Sequence, residues 1–261
     1  MSVALNNPLA SLEQLETTIS RRDGINEELE EDLRNLGAEL IESAGILLKL
    51  PQVAMATAQV LFQRFFYMAS FKEFGIVEIG MGALFLASKL EECFIRMTHL
   101  ITVYDLIIRK MKGQSIKLPL DAFSQRAYNL KNMAIAAEMQ ILRKLGFIVH
   151  VQLPYNHMIN YLRILGLEDD EEVSKLAWNY LNDGLRTNIY VTHEPSTIAC
   201  AVIWLACRER GIKLPCLVGK EWWLLFDVDA INFKNAAAHI RRLYYKKLDR
   251  QNLPLYKDLA Q

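Results

Sequence analysis

Two charged side chains stand out against apolar helical patterns: Lys89, a cation at the polar end of an apolar stretch, and Glu138, a carboxylate that interrupts a helical stripe. Spacing alone is met by a solvated helix end and an ordinary salt bridge, or by a charged pair that grips a partner. Glu91-Glu92 would suit acid–base catalysis if the two flanked one bond. Neighbours on a helix point about 100° apart, which excludes that geometry. Gly80-Met81-Gly82 is half a dinucleotide fingerprint, but no strand precedes it and no third glycine follows, so a phosphate cradle is missing. Close packing between helices suits these glycines better. His193-Glu194 has no second histidine four residues on, and the five histidines (His99, His150, His157, His193, His239) lack metal-ligand spacing. The sequence therefore points to no catalytic residue, no metal and no cofactor.

Other charge clusters read as helix-end chemistry. Asp169-Asp170-Glu171-Glu172 opens a helix and Arg241-Arg242 with Lys246-Lys247 closes one, each matching the dipole. The basic cluster as a nucleic-acid patch is the sharper alternative. Thirty lysines plus arginines balance thirty aspartates plus glutamates, which disfavours a chain that displaces counterions from nucleic acid. Trp222-Trp223 and Tyr244-Tyr245 suit core and edge positions better than base stacking. With 52% hydrophobic residues a packed core is expected. Charges break every apolar run before the roughly 18 residues of a membrane span, and Met1 to Ala10 lacks the basic region of a secretory signal. Among four cysteines, Cys200 and Cys207 share a helix face and read as buried small hydrophobes in a reducing compartment.

The elements that position these residues are helices, and no strand is evident. Apolar periodicity predicts helices over Glu28 to Leu48, Gln52 to Met68, Ile76 to Glu92, Met97 to Met111 and Ser124 to Leu145. Pro51 suits a first turn, and Gly146 a left-handed terminator. The third of these helices is apolar around its whole circumference and must be enclosed by the others. After Pro154 the pattern restarts: Asn156 to Leu165, Glu171 to Thr187, Ile198 to Cys207 opened by Pro195-Ser196-Thr197, Trp222 to Phe226 and Ala230 to Lys247. An offset of 119 residues lays Phe85-Leu86-Ala87-Ser88-Lys89 on Trp204-Leu205-Ala206-Cys207-Arg208, and Gln63-Arg64 on Asn182-Asp183. The fold class is all-α: two tandem five-helix repeats, joined near Val151 to Pro154, after a short N-terminal extension.

Leu84-Phe85-Leu86-Ala87-Ser88-Lys89-Leu90-Glu91-Glu92, followed by Glu138 in a helix closing on Leu145-Gly146-Phe147, resembles the cyclin box. The likeness runs from about Ile25 to Lys247 and is sharpest for the transcription-type cyclins, within them cyclin L. Leu50 to Thr57, Val60 to Tyr67, Trp178-Asn179-Tyr180, Leu185-Arg186-Thr187 and Ser196 to Ala201 carry it elsewhere. The first helix has Asn35-Leu36-Gly37-Ala38-Glu39-Leu40 where cell-cycle cyclins carry a substrate-recruiting patch. An arginine-serine-rich tail of the cyclin L kind is not among the 261 residues.

The resemblance implies 1–25 as N-terminal extension, 26–150 as first cyclin box, 151–248 as second and 249–261 as tail. It also implies that Lys89 and Glu138 clamp a kinase backbone near its regulatory helix, with Leu86, Leu90, Glu92, Leu142 and Phe147 as surrounding contacts. The expected function is then that of a regulatory subunit, not an enzyme, which binds and allosterically activates a cyclin-dependent kinase as a heterodimer. The expected setting is nuclear, in transcription and pre-mRNA splicing, with no specific nucleic acid and no membrane. A two-cyclin-repeat transcription factor would be expected to add a cysteine quartet and a basic surface. A helical adaptor without a kinase would have no need of the Lys89–Glu138 pair.

Overall fold

The structure is a computed structural model that describes residues 7–114, 118–214, 216–217, 220–246 and 253–255. The chain divides into two compact units between Val151 and Gln152.

In the unit that begins at Ala10, two short helices, α1 (Leu12–Glu16) and α2 (Ile19–Arg22), are started by Ser11 and Thr18, whose hydroxyls accept from the Gln14 and Arg21 amides. Asn26 caps α3 (Glu27–Leu47), and Glu27, Glu28 and Glu30 fill its first turn, where the dipole favours carboxylates. α4 (Gln52–Met68) follows Pro51, and α5 (Ile76–Leu90) follows Gly75, whose amide donates to Glu78. α6 (Met97–Met111) and α7 (Gln125–Lys144), capped by Ser124, complete the set. The spans of α3 to α7 match the sequence periodicity to within two residues at every end, whereas α1 and α2 lie in the stretch expected as an N-terminal extension, where no helix was expected. α5 packs against α3, α4, α6 and α7, the surroundings its all-round apolarity requires.

Three α5 residues near its start, Ile76, Val77 and Ile79, are buried, and the Val77 amide donates to the Leu255 carbonyl at 3.2 Å. The 253–255 segment thus belongs to this unit's core. A polar network is also buried here. Arg34 donates to Glu30 at 2.8 Å and to the carbonyls of Gln63 and Phe66, while Thr18 and Arg21 donate to the other Glu30 oxygen. With every lone pair engaged, a buried glutamate and arginine can stay charged.

The other unit holds α8 (Tyr155–Ile164), α9 (Glu171–Gly184), α10 (Ile189–Thr192), α11 (Pro195–Glu209), a two-residue antiparallel pair β1 (Cys216–Leu217) and β2 (Lys220–Glu221), a 3-10 turn (Trp222–Phe226) and α12 (Ala230–Tyr245). Residues 7–9, expected as free extension, belong to this unit: the Asn7 amide donates to the Gln152 carbonyl and accepts from its N–H, both at 2.8 Å.

Three expectations need correction. The helix expected to run to Thr187 stops at Gly184, because the Thr187 hydroxyl turns back onto the Gly184 carbonyl at 2.7 Å and the chain restarts as α10. Trp222–Phe226 is a tight 3-10 turn, not an α-helix. The β1–β2 pair is a strand where none was expected, and it is too short to leave an alternating signature. The expected helix end at Lys247, the boundary at 248 and most of the tail lie outside the described residues.

The internal repeat is visible in burial. Met81 to Leu90 and Cys200 to Glu209 show the same order of buried, half-buried and exposed positions, residue for residue, at the offset of 119. No helix among the described residues is long and apolar enough to cross a membrane, and no group of three metal-ligating side chains occurs among them.

Candidate functional site

The Lys89 ammonium donates to Glu138 Oε1 at 2.6 Å, joining the end of α5 to the middle of α7. Lys89 is 41% exposed and Glu138 12%, so the pair is open to solvent on the lysine side only. The ammonium also stands 4.1 Å from the Phe85 ring centroid, one turn earlier on α5, and cation–π attraction holds it close to the helix.

Gly82 sets the depth of the pair. A Cβ there would lie 2.7 Å from Ala137 Cβ and 2.8 Å from the Glu138 backbone nitrogen. Only a glycine lets α7 approach this closely, and the approach brings Glu138 within reach of Lys89. At Gly80, by contrast, a Cβ would lie 3.2 Å from the Tyr104 hydroxyl, a tight contact with a side chain and not with backbone. Both glycines serve helix packing, as their position in a helical pattern implies.

The ends of both helices reverse by the same hydrogen bonds. After α5 the Glu92 amide donates to the Lys89 carbonyl and the Cys93 amide to the Ser88 carbonyl; after α7, Gly146 and Phe147 donate to Arg143 and Leu142. Such a turn requires a left-handed residue. Gly146 supplies it after α7, at φ 57°, and Gly211 supplies it after α11, at φ 71°. Glu92 holds that position after α5 at φ 54°, and Phe147 adds a second left-handed residue at φ 62°. A side chain in this region costs about 1–2 kcal/mol, and such strain gathers at functional sites.

The sequence-chosen residues therefore divide. Lys89, Leu90, Glu92 and Phe147 are exposed, and Glu138 and Leu142 are half-buried. Leu86 lies in the hydrophobic core at 5% exposure, where it supports the face from beneath. Glu91 accepts from Thr57 at 2.8 Å while Glu92 is exposed, so the two carboxylates do diverge, but through the left-handed turn past the end of α5 and not as neighbours on a helix. Sequence reasoning missed Phe94, 76% exposed, together with Ile135 and Met139, which extend the Leu142 side of α7 at helical spacing. Their period was legible, but an apolar stripe is equally the signature of a core. The result is an apolar surface around a charged pair, the anatomy of a protein-binding face rather than of a reaction centre.

Comparison with known proteins bears on what such a face is for. The cyclin N-terminal domain family matches residues 9–150. The chain belongs to the cyclin family. Human cyclin-L1 is 42% identical over 247 residues, covering 95% of this chain and 46% of the relative. Human cyclin-L2 is 41% identical over 245 residues, covering 94% and 46%. The chain thus spans about half the length of the curated relatives it matches. Its fold is similar to a chain in the crystal structure of the yeast RNA Pol II CTD kinase CTDK-1 complex, with TM-score 0.73, 19% identity, and coverage of 95% of this chain and 78% of that one. Cyclins are regulatory subunits of protein kinases rather than enzymes themselves.

Proposed function

We propose that this cyclin binds and allosterically activates a cyclin-dependent kinase acting in transcription and pre-mRNA splicing, as a nuclear heterodimer, through the face around Lys89 and Glu138. Residues 26–150 and 151–248 are its two cyclin boxes. The supporting observation is the 2.6 Å Lys89–Glu138 pair, with exposed Leu90 and Phe94 in the segment that follows Lys89 and exposed Phe147 just past the end of α7.

A kinase must pair a strand lysine with a glutamate of its regulatory helix before ATP is positioned for transfer. A surface that binds only the inward position of that helix shifts the population toward the active state. Differential affinity for the two states does this, whereas equal affinity shifts nothing. Lys89 offers N–H donors and Glu138 an acceptor, so together they can hold a backbone carbonyl and a backbone amide in one register. Leu90, Leu142 and Phe147 then exclude water around them. ATP and its metal ions belong to the kinase, and the cyclin contributes no cofactor. The relatives named cyclin-L and the CTD-kinase complex of similar fold support a transcription setting.

Affinity purification from nuclear extract with mass spectrometry identifies the kinase. Lys89→Ala and Glu138→Ala are then expected to keep the fold and to weaken kinase binding by roughly 2–5 kcal/mol, since each strands a charge at a desolvated centre. Leu142→Asp damages the same face through its apolar part. If all three variants bind and activate the kinase like the parent, this function is wrong for the chain.

A further inference from the structure

The second repeat carries its own version of the Lys89–Glu138 position with different charges. At the offset of 119, Arg208 takes the place of Lys89, and each cation sits by an aromatic ring one turn earlier: Lys89 4.1 Å from Phe85, Arg208 5.2 Å from Trp204. α11 packs on α12 as α5 packs on α7. Buried Leu130, Ala134 and Ala137 of α7 correspond to buried Phe233, Ala237 and Ile240 of α12 at a constant offset of 103. The same offset sets Arg241 in the place of Glu138. One repeat therefore joins a cation to an anion, and the other presents two guanidiniums.

Both arginines line an open groove of about 660 Å³ walled by Tyr180, Tyr244 and Tyr245. Asp183 and Glu209 line it too, but each is engaged: Tyr244 donates to Asp183 and Tyr180 to Glu209. Burial, and next the bond to Glu209, push the Tyr180 hydroxyl up to about 12, so it remains a donor at neutral pH. Arg241 donates one bond to the Tyr245 hydroxyl at 3.1 Å. Neither Arg208 nor Arg241 forms an ion pair among the described residues. Asp183 and Glu209 keep acceptor sites beyond those single bonds, and the cationic groups left without a carboxylate partner are the two guanidiniums, between aromatic walls.

We infer that this groove docks an extended acidic peptide of a partner protein, with Asp or Glu side chains on Arg208 and Arg241 and apolar side chains against the tyrosines. A partner that engages the two guanidiniums supplies acceptors, and planar carboxylates match the guanidinium fork. Two separate carboxylates fit better than one phosphate, because each can sit on its own guanidinium, whereas a dianion concentrates its charge at one point beside Asp183 and Glu209.

The test uses the full chain in complex with its co-purified kinase. Three fluorescein-labelled pools of twelve-residue peptides, random except for two fixed positions, carry Glu, Gln or phosphoserine at those positions, and anisotropy reads binding. The Glu pool is expected to bind about tenfold more tightly than the Gln pool, with affinity falling as salt rises. Arg208→Glu and Arg241→Glu are each expected to lower that affinity about tenfold, with melting temperature and kinase co-purification unchanged. Arg208→Gln and Arg241→Gln give intermediate losses if charge reversal disturbs folding. Lys89→Ala, measured on the full chain without kinase beside the parent chain in the same state, is expected to leave peptide binding intact, which keeps this inference separate from the kinase face. Equal binding of the Glu and Gln pools, tightest binding of the phosphoserine pool, or charge reversal without effect would each overturn it.

Discussion

Replacing Gly82 by alanine probes how the fold builds its charged pair. The added Cβ would meet Ala137 Cβ at 2.7 Å and the Glu138 nitrogen at 2.8 Å, whereas ordinary contact begins near 3.4 Å. The obstacle includes α7 backbone, which cannot rotate aside, so α7 must move out by a large fraction of an ångström. Overpacking of this kind costs about 1–3 kcal/mol. Alanine recovers about 1 kcal/mol of helix propensity over glycine, leaving a net loss of roughly 0–2 kcal/mol. The larger consequence falls on the 2.6 Å bond between Lys89 and Glu138, which the same displacement stretches. Gly82→Ala is therefore expected to melt only slightly below the parent but to bind and activate the kinase far less well. Gly80→Ala, two residues away on α5, is the control. Its Cβ would lie 3.2 Å from the buried Tyr104 hydroxyl, tight but against a side chain and away from α7, so parental kinase binding and a melt above that of Gly82→Ala are expected. Urea unfolding of both variants, with calorimetry against the kinase, separates the two effects. A Gly82→Ala variant with parental kinase affinity would refute the claim that close helix approach positions the pair.

Glu92→Gly relieves the left-handed strain and is expected to stabilise the chain by roughly 0.5–1 kcal/mol while weakening kinase binding; a loss of stability in urea would show that the Glu92 side chain serves the fold instead. Arg34→Met leaves one oxygen of buried Glu30 and two carbonyls without their donor, while Arg21 and Thr18 keep the other oxygen, and an unfolding free energy lower by roughly 1–3 kcal/mol is expected. His193 is held down to about 4, first by burial and second by the charge of His239. The unfolded chain therefore takes up a proton near pH 6.5 that the folded chain refuses until about pH 4, so the stability present above pH 6.5 falls as pH drops through that window. His193→Asn is expected to flatten that part of the pH profile of melting temperature, and an unchanged profile would count against it.

Helices were legible because their physics is local. Gln52–Met68 and Met97–Met111 follow from apolar period and punctuation alone, as does the enclosure of α5, whose apolar circumference leaves no solvent face. The repeat was legible for the same reason, since a matching burial order demands a matching order of residue types. Lys89 and Glu138 were legible only through family resemblance, because nothing local distinguishes a clamp from a solvated helix end. Tertiary structure decided the rest. Whether Ile135 and Met139 face a core or solvent depends on what packs against α7, and sequence period is silent on that. The return of Leu255 to the Val77 amide and of Asn7 to Gln152 joins residues far apart in the chain, and no local preference encodes such contacts. The left-handed Glu92 is a residue type that ordinarily avoids that conformation, held there by its own amide's bond to the Lys89 carbonyl and that of Cys93 to the Ser88 carbonyl, which form only when α5 ends where it does. Local preferences act within a few residues along the chain, whereas burial, pairing and strain are settled by neighbours that folding alone brings together.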